Sequence, residues 1–146
     1  MNDMKKITVA VCVDDDMQTL FFGKRQSRDR VLIEDLVSSS KEKVFINSFS
    51  EPIFSDKESY ILSENPMEDC PQGGVVFAEN FQLLPYISFI EKLILYRWNR
   101  KYPGDKKLDI DISQNGLFRL EEVFEFVGSS HERITKEIYT KKQDLI

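Results

Sequence analysis

The stretch ITVAVCV at residues 7–13 restricts the fold of this chain more than any other. It is β-branched and almost free of polar residues, so a strand built from it has no face to give to water. Such a strand belongs in the middle of a sheet covered on both sides, as in α/β proteins. Two lysines precede it, but its apolar length is well below that of a signal peptide's core, and no small-residue cleavage site follows. Residues 89–98, the longest apolar-rich run further on, carry internal charges and fall far short of the ~20 residues needed to cross a bilayer. The expectation is a cytoplasmic protein with no membrane span.

Downstream, strand-like and helix-like segments alternate. After Asp14, Asp15 and Asp16, residues 17–26 read as a loop in which Gly23 can take a positive φ. Ser27 and Asp29 offer N-caps to a helix of about three turns carrying Val31, Leu32, Asp35 and Leu36, and three serines end it. Residues 43–49 read as a second strand, Ser50-Glu51-Pro52 as a helical start, 59–62 as a third strand and 75–78 as a fourth. Residues 63–74 concentrate turn formers and acids and read as an exposed loop. Residues 82–90 suit a helix with Pro85 in its first turn, 91–98 a strand, and Pro103-Gly104-Asp105 a turn, after which Leu108, Ile110 and Ile112 alternate with aspartates. Residues 118–126 and 132–141 read as a closing antiparallel hairpin.

This order predicts one three-layer α/β domain over residues 1–146, with a mixed sheet made of a parallel core and an antiparallel C-terminal hairpin. In 146 residues two cores would each be short of buried area, whereas 41% hydrophobic residues, including eleven Phe, can supply one without staples. Cys12 and Cys70 have no CxxC spacing or Cys/His neighbour and read as reduced thiols.

On open α/β sheets ligands gather at the carboxyl ends of the strands, which here are followed by Asp14 to Asp16, by Glu79-Asn80 and by residues 97–105; the turn at 128–132 is a fourth polar loop. The aspartate triplet offers oxygens to a divalent cation, but successive strand residues point to opposite faces, which favours a solvated turn, and no glutamate follows at the spacing of an EF-hand. No metal is expected, and Asp15 stays a candidate proton carrier. Lys24, Arg25, Arg28 and Arg30 surround a helix entrance, where backbone N–H groups and the dipole favour an anion. Arg25 and Arg28 are therefore candidates for a phosphate or carboxylate, against the alternative that Asp29 and Glu34 simply pair with the cluster. Arg97, Asn99, Arg100 and Tyr102 around Trp98 mix cations with aromatics as single-strand nucleic-acid binders do, or form a strand end whose Trp caps the core. A net charge of -5 favours the second reading and disfavours nucleic acid as a partner.

His131 is the only histidine, and its solitude excludes whole classes of chemistry. Catalytic zinc sites take two or three His or Cys ligands, so a metallo-β-lactamase-type hydrolase cannot be built here. Ser129 and Ser130 adjoin His131, but sequence neighbours rarely reach nucleophile-to-base geometry and no GxSxG elbow is present. A turn histidine bonded to Glu132 or a backbone carbonyl is the plain alternative; a chemical role would be general acid/base work or pH sensing.

The segments VCVDD at 11–15, RQSRDR at 25–30, YRWNRKYP at 96–103 and GSSHE at 128–132 resemble, nearly end to end, a group of short bacterial proteins, some of which carry the label ribonuclease Z. The His-x-His-x-Asp-His signature of that zinc enzyme is missing, so the label's activity is not implied. The order of VVFA at 75–78, the strand at 90–96, Gly104-Asp105 and IYTK at 138–141 resembles the later part of the dihydrofolate reductase fold. Gly73-Gly74 precede the strand rather than follow it, and no Gly-Arg-x-Thr element follows the second strand. What this second resemblance implies is the fold.

Three function classes stay open: a small-ligand or anion (nucleotide or phosphate) binding or regulatory domain, a reductase-like enzyme on a nucleotide or small acid with His131 or Asp15 as proton carrier, and an RNA-associated protein. The observation that separates them is whether Asp15, Arg25, Arg28, Asn99, Arg100 and His131 line one cleft. Neither a cofactor nor an oligomeric state follows from the residues.

Overall fold

The computed structural model describes residues 5–142. The strands in chain order are β1 (Ile7–Val13), β2 (Gln18–Phe21), β3 (Lys24–Arg25), β4 (Val44–Ile46), β5 (Tyr60–Leu62), β6 (Val75–Phe77), β7 (Ile90–Arg97), β8 (Lys106–Lys107), β9 (Phe118–Phe126) and β10 (Ile134–Lys141). The helices are α1 (Arg30–Ser39) and α2 (Pro66–Asp69). The main sheet has seven strands in the order β5-β4-β6-β1-β7-β10-β9. The first five run parallel, and β10 and β9 add antiparallel pairings at one edge. The parallel core, the antiparallel hairpin and the central place of β1 are those expected.

Period-two alternation in β1 builds two cores. Ile7, Val9, Val11 and Val13 enter one, and Ala10 enters the other, beneath Leu32, Ile33 and Leu36 of α1. Each of the Val, Leu and Ile side chains contributes roughly 1.5–3 kcal/mol on leaving water. Asp29 caps α1, its Oδ1 accepting from Val31 N at 2.9 Å and Leu32 N at 3.2 Å.

The opposite face is covered by short elements, and here the structure departs from expectation. Residues 63–74 are not merely an exposed loop: they fold into α2, which places Met67 and then Cys70 in the core. Pro66, read as a turn former, sits in the first turn of that helix, where its missing N–H costs nothing. The helix expected over 82–90 is a 3-10 helix at Leu84–Phe89, kinked at Tyr86. Leu108, Ile110 and Ile112 belong to no strand, yet Ile110 is buried in this core and the other two pack on it.

Residues 17–26 are likewise not a loop but a hairpin of β2 and β3, extended by β8 into a small antiparallel sheet. Its turn has Phe22 at φ 48 and Gly23 at φ 78, the double positive φ that suits a two-residue hairpin connection. Phe is an unusual first residue for such a turn, which hides the hairpin in the sequence.

Register brings the polar loops together. Arg97 lies opposite Val13 on one side and Thr135 on the other, so the ends of β1 and β7 and the start of β10 are level. The loops after β1 and β7 and the β9–β10 turn therefore meet at one edge.

Candidate functional site

After β1 the chain builds β4, β5 and β6 on one side and then crosses to β7 on the other. Ligands on open α/β sheets bind beside such a reversal, at the carboxyl ends of the strands. Here a cleft of about 270 Å³ opens there, with Val11, Ala78, Leu83 and Leu108 among its apolar lining. Thr19, Asn80, Lys106 and Lys107 supply polar groups. Asp109 also lines it but is committed, accepting from Leu83 N at 3.0 Å and Leu84 N at 2.8 Å. Lys106 and Lys107 are exposed and have no acidic partner among the described residues.

A second cavity of about 10 Å³ shares Thr19, Ala78 and Glu79 with the cleft and extends inward to Cys12, Gln26 and Ser27. That is space for roughly one water molecule. Arg25 and Glu79 form its charged wall. Arg25 Nε and Nη2 meet Glu79 Oε2 and Oε1 at 2.7 and 2.8 Å, Nη2 also donates to Phe49 O, and the guanidinium lies 4.6 Å from the Phe49 ring centre. Burial pushes the Cys12 thiol well above its ordinary range, with the nearby Glu79 carboxylate adding to the effect, so it stays protonated.

Two buried aspartates fasten the surrounding loops. Asp14 Oδ1 accepts from Asp16 N and Gln18 N, and Oδ2 from Gln26 Nε2 and Tyr102 N. Asp29 accepts from Ser129 N at 2.9 Å and Ser130 N at 2.8 Å as well as capping α1. Desolvation alone would raise the Asp29 pKa, but bonds from Ser129 N, Ser130 N, Leu32 N and Ser130 Oγ outweigh it and hold the carboxyl well below the usual range. A Cβ on Gly128 would overlap Asp29 Oδ2, so the turn needs glycine at this point.

His131 is 5% exposed and rests between these loops. Its Nε2 is 2.6 Å from Tyr102 Oη and 3.4 Å from Ser27 Oγ. Its Nδ1 faces Ser130 Oγ at 2.9 Å and Asp29 Oδ2 at 3.3 Å. Trp98 stacks on the ring at 4.6 Å. Apart from neighbouring Ser130, its ring partners are distant in sequence, and they are neither Glu132 nor a backbone carbonyl.

Of the residues singled out from the sequence, His131, Tyr102, Ser129 and Ser130 converge around the α1 entrance, and Arg25 lines the small cavity beside it. The Arg28 side chain is exposed, and its carbonyl accepts from Ser130 Oγ. Asp15 is exposed too, and it is its backbone N–H that meets Arg100 O. Arg97 binds Glu137 at 2.8 Å, and Asn99, at φ 59, donates to Arg133 O and Thr135 Oγ1. Arg100 is exposed beside the Tyr102 ring. Trp98, 4% exposed, caps the core and offers no open face to a base. The backbone donors at the α1 entrance are met from within, by Asp29 and by Ser129 Oγ, which accepts from Arg30 N.

Sequence reasoning passed over Asp14, Ser27 as a site residue, and Lys106-Lys107. For Asp14 a signal existed: continuing the β1 alternation places it with Ala10 and Cys12, facing inward.

No family model matches the chain, and no curated protein matches it in sequence. The likeness to the group of short bacterial proteins thus rests on the motifs alone. Among solved structures it is similar to a dihydrofolate reductase from Enterococcus faecalis complexed with NADP(H) and RAB-propyl, with a TM-score of 0.62 and 11% identity over 96% of this chain and 98% of that one. That similarity, spanning both chains almost completely, shows that this chain has the dihydrofolate reductase-like fold.

Proposed function

We propose that this protein binds a phosphate-bearing nucleotide in the cleft beside β1 and β6, on a reductase-like scaffold. The observation that carries the reading is the placement of Lys106 and Lys107, without an acidic partner among the described residues, on a partly apolar cleft at the sheet's switch point. Lysines without acidic partners favour a phosphate, and the apolar lining suits a ring system. In this reading Lys106 and Lys107, rather than Arg25 and Arg28, meet the anion, because Arg25 is already held by Glu79. The structural neighbour is complexed with NADP(H), which makes nicotinamide nucleotides the first probes to use.

Calorimetric titration with NADPH, NADP+ and inorganic phosphate tests this. Binding in the micromolar range is expected for the nucleotides, weakened about tenfold or more in the double variant Lys106→Gln, Lys107→Gln. Failure of every nucleotide to bind at millimolar concentration, or binding indifferent to the double variant, would overturn it. A reductase activity is the second reading, favoured by the apolar side chains that line part of the cleft. It also requires a proton source within reach of the cleft.

A further inference from the structure

The two edges of the main sheet are unlike. β5, at one end, is three residues long, whereas β9, at the other, runs for nine and has no strand beyond it among the described residues. The N–H and C=O groups on its outer side are therefore open to another chain. Exposed apolar side chains concentrate on the same stretch: Leu120, Val123 and Phe124 are 45%, 51% and 47% exposed, with Leu117 and Val127 just beyond its two ends. Proteins commonly blunt such edges with lysines, prolines or very short strands, and β9 has none of these.

Register shows which side chains share a face. Glu122, Phe124 and Phe126 lie opposite Ile138, Lys136 and Ile134 and face α1, whereas Val123 and Glu125 lie opposite Glu137 and Thr135 and face the other way. Between α1 and the strand runs an open groove of about 540 Å³, with Val31, Phe124 and Phe126 as its apolar lining and Glu34 and Glu125 among its acids. Glu34 and Glu125 meet Arg30 and Arg133 at 3.0 and 3.5 Å, but all four side chains are more than half exposed. Surface pairs of this kind are worth less than about 1 kcal/mol and exchange readily for another cation. Glu122 is exposed and has no cationic partner among the described residues.

We propose that β9 is a docking edge for an extended, basic and apolar segment of a partner protein, which pairs with residues 122–126 as an eighth strand of the sheet. Lysine or arginine of that segment stands opposite Glu122 and Glu125, and apolar residues stand opposite Val123, Phe124 and Phe126. Main-chain bonds to the open edge hold the segment, and the side chains opposite Phe124 and Phe126 enter the groove beside α1. Read along a parallel pairing the pattern is basic-apolar-apolar-basic-apolar; an antiparallel pairing takes its reverse.

The strand sets the limits of this pairing. Its ladder to β10 shifts register between Ile138 and Tyr139, which leaves Glu121 without an opposite residue, so the regular stretch begins at Glu122 and ends at Phe126, before the turn. Charge decides against a second copy of this chain as the occupant. A two-fold pairing centred on Phe124, which uses the whole regular stretch, sets each Glu125 opposite Val123 and diagonal to the other Glu125, between molecules that each carry a net charge of -5. Arg119, the one cation of β9, is already 2.7 Å from Glu121. The edge lies beyond β7 and β10 from the cleft and is independent of what the cleft holds.

The end-capped palindrome Val-Lys-Val-Val-Lys-Val offers the pattern in either direction and is the probe; the same peptide with Glu in place of Lys is its control. Titrated into the nitrogen-15-labelled full chain, the lysine peptide is expected to bind with a Kd on the order of several hundred micromolar and to move the amides of β9 and of the first turns of α1. The glutamate peptide is expected to bind at least about tenfold more weakly, and a rise in salt from about 0.05 to about 0.5 M to weaken the lysine peptide severalfold. The double variant Glu122→Lys, Glu125→Lys, changed only at exposed positions and so expected to fold, should reverse the preference and take the glutamate peptide. Equal binding of the two peptides by wild type, a preference the double variant leaves unchanged, or no movement in β9 at about 5 mM peptide overturns the proposal. A protein that sediments as a dimer with the amides of residues 122–126 protected from exchange assigns the edge to a second copy and overturns it as well.

Discussion

Two regions of this molecule are rich in cations, and they have opposite fates. At the α1 entrance Arg25 is enclosed against Glu79, with side chains 19% and 9% exposed, Arg30 pairs with Glu34 at the surface, and the helix donors are taken by Asp29 and Ser129. In the cleft, Lys106 and Lys107 lie on a two-residue strand with no acidic partner among the described residues. The first region turns charge into architecture, whereas the second leaves charge available. A run of cations in a sequence thus says little about anion binding until one knows what already faces each of them.

Five measurements would break or sharpen that contrast. Removing the anchor of the α1 entrance has the largest expected effect: Asp29→Ala loses the helix cap and strands the Ser129 and Ser130 N–H groups, at a cost on the order of 3 kcal/mol or more in urea unfolding. A loss below about 1 kcal/mol would show that the entrance is not held as described. The same residue gives the protein a pH dependence. Because the folded pKa of Asp29 is depressed, its contribution is complete above the ordinary aspartate range of about 4 and drains away as pH falls below it. The stability of wild type should fall more steeply on acidification below about pH 4 than that of Asp29→Asn; parallel curves would contradict this.

Next in size is Arg25→Ala, which leaves the Glu79 carboxylate enclosed with only Ser50 Oγ donating to it and should cost about 2–3 kcal/mol. The Lys106→Gln, Lys107→Gln pair should change stability by less than about 0.5 kcal/mol, while weakening nucleotide binding as stated above. Smallest is Arg30→Ala, worth less than about 0.5 kcal/mol in unfolding, since both partners are more than 60% exposed. Equal losses from Arg25→Ala and Arg30→Ala would erase the distinction between the two kinds of pair.

The fold was legible where burial writes itself into a continuous pattern. β1 is apolar on both faces because it is covered on both, and the β9–β10 hairpin carries strand formers on either side of its glycine turn. The β2–β3 hairpin was not legible, because its turn puts a bulky Phe22 at a positive φ where Asn or Gly is the usual signal. α2 was hidden because Pro66 starts a helix as readily as it makes a turn. At the site, Asp29 reads as a cap from its local spacing, but its bonds to Ser129 and Ser130 are set by tertiary packing. Lys106 and Lys107 were missed because a two-residue strand has no period to detect.

The dual attachment of Asp29 also bears on how the molecule assembles. It joins the start of α1 to Ser129, 100 residues further along, so the cap of an early helix is incomplete until the β9–β10 turn has been made and docked. Contacts of such long sequence separation close late and slowly. Until then α1 has its local bonds to Val31 and Leu32 but lacks its tether to the sheet edge, and the cavity behind it has no back wall. That cavity is therefore among the last features this chain completes as it folds.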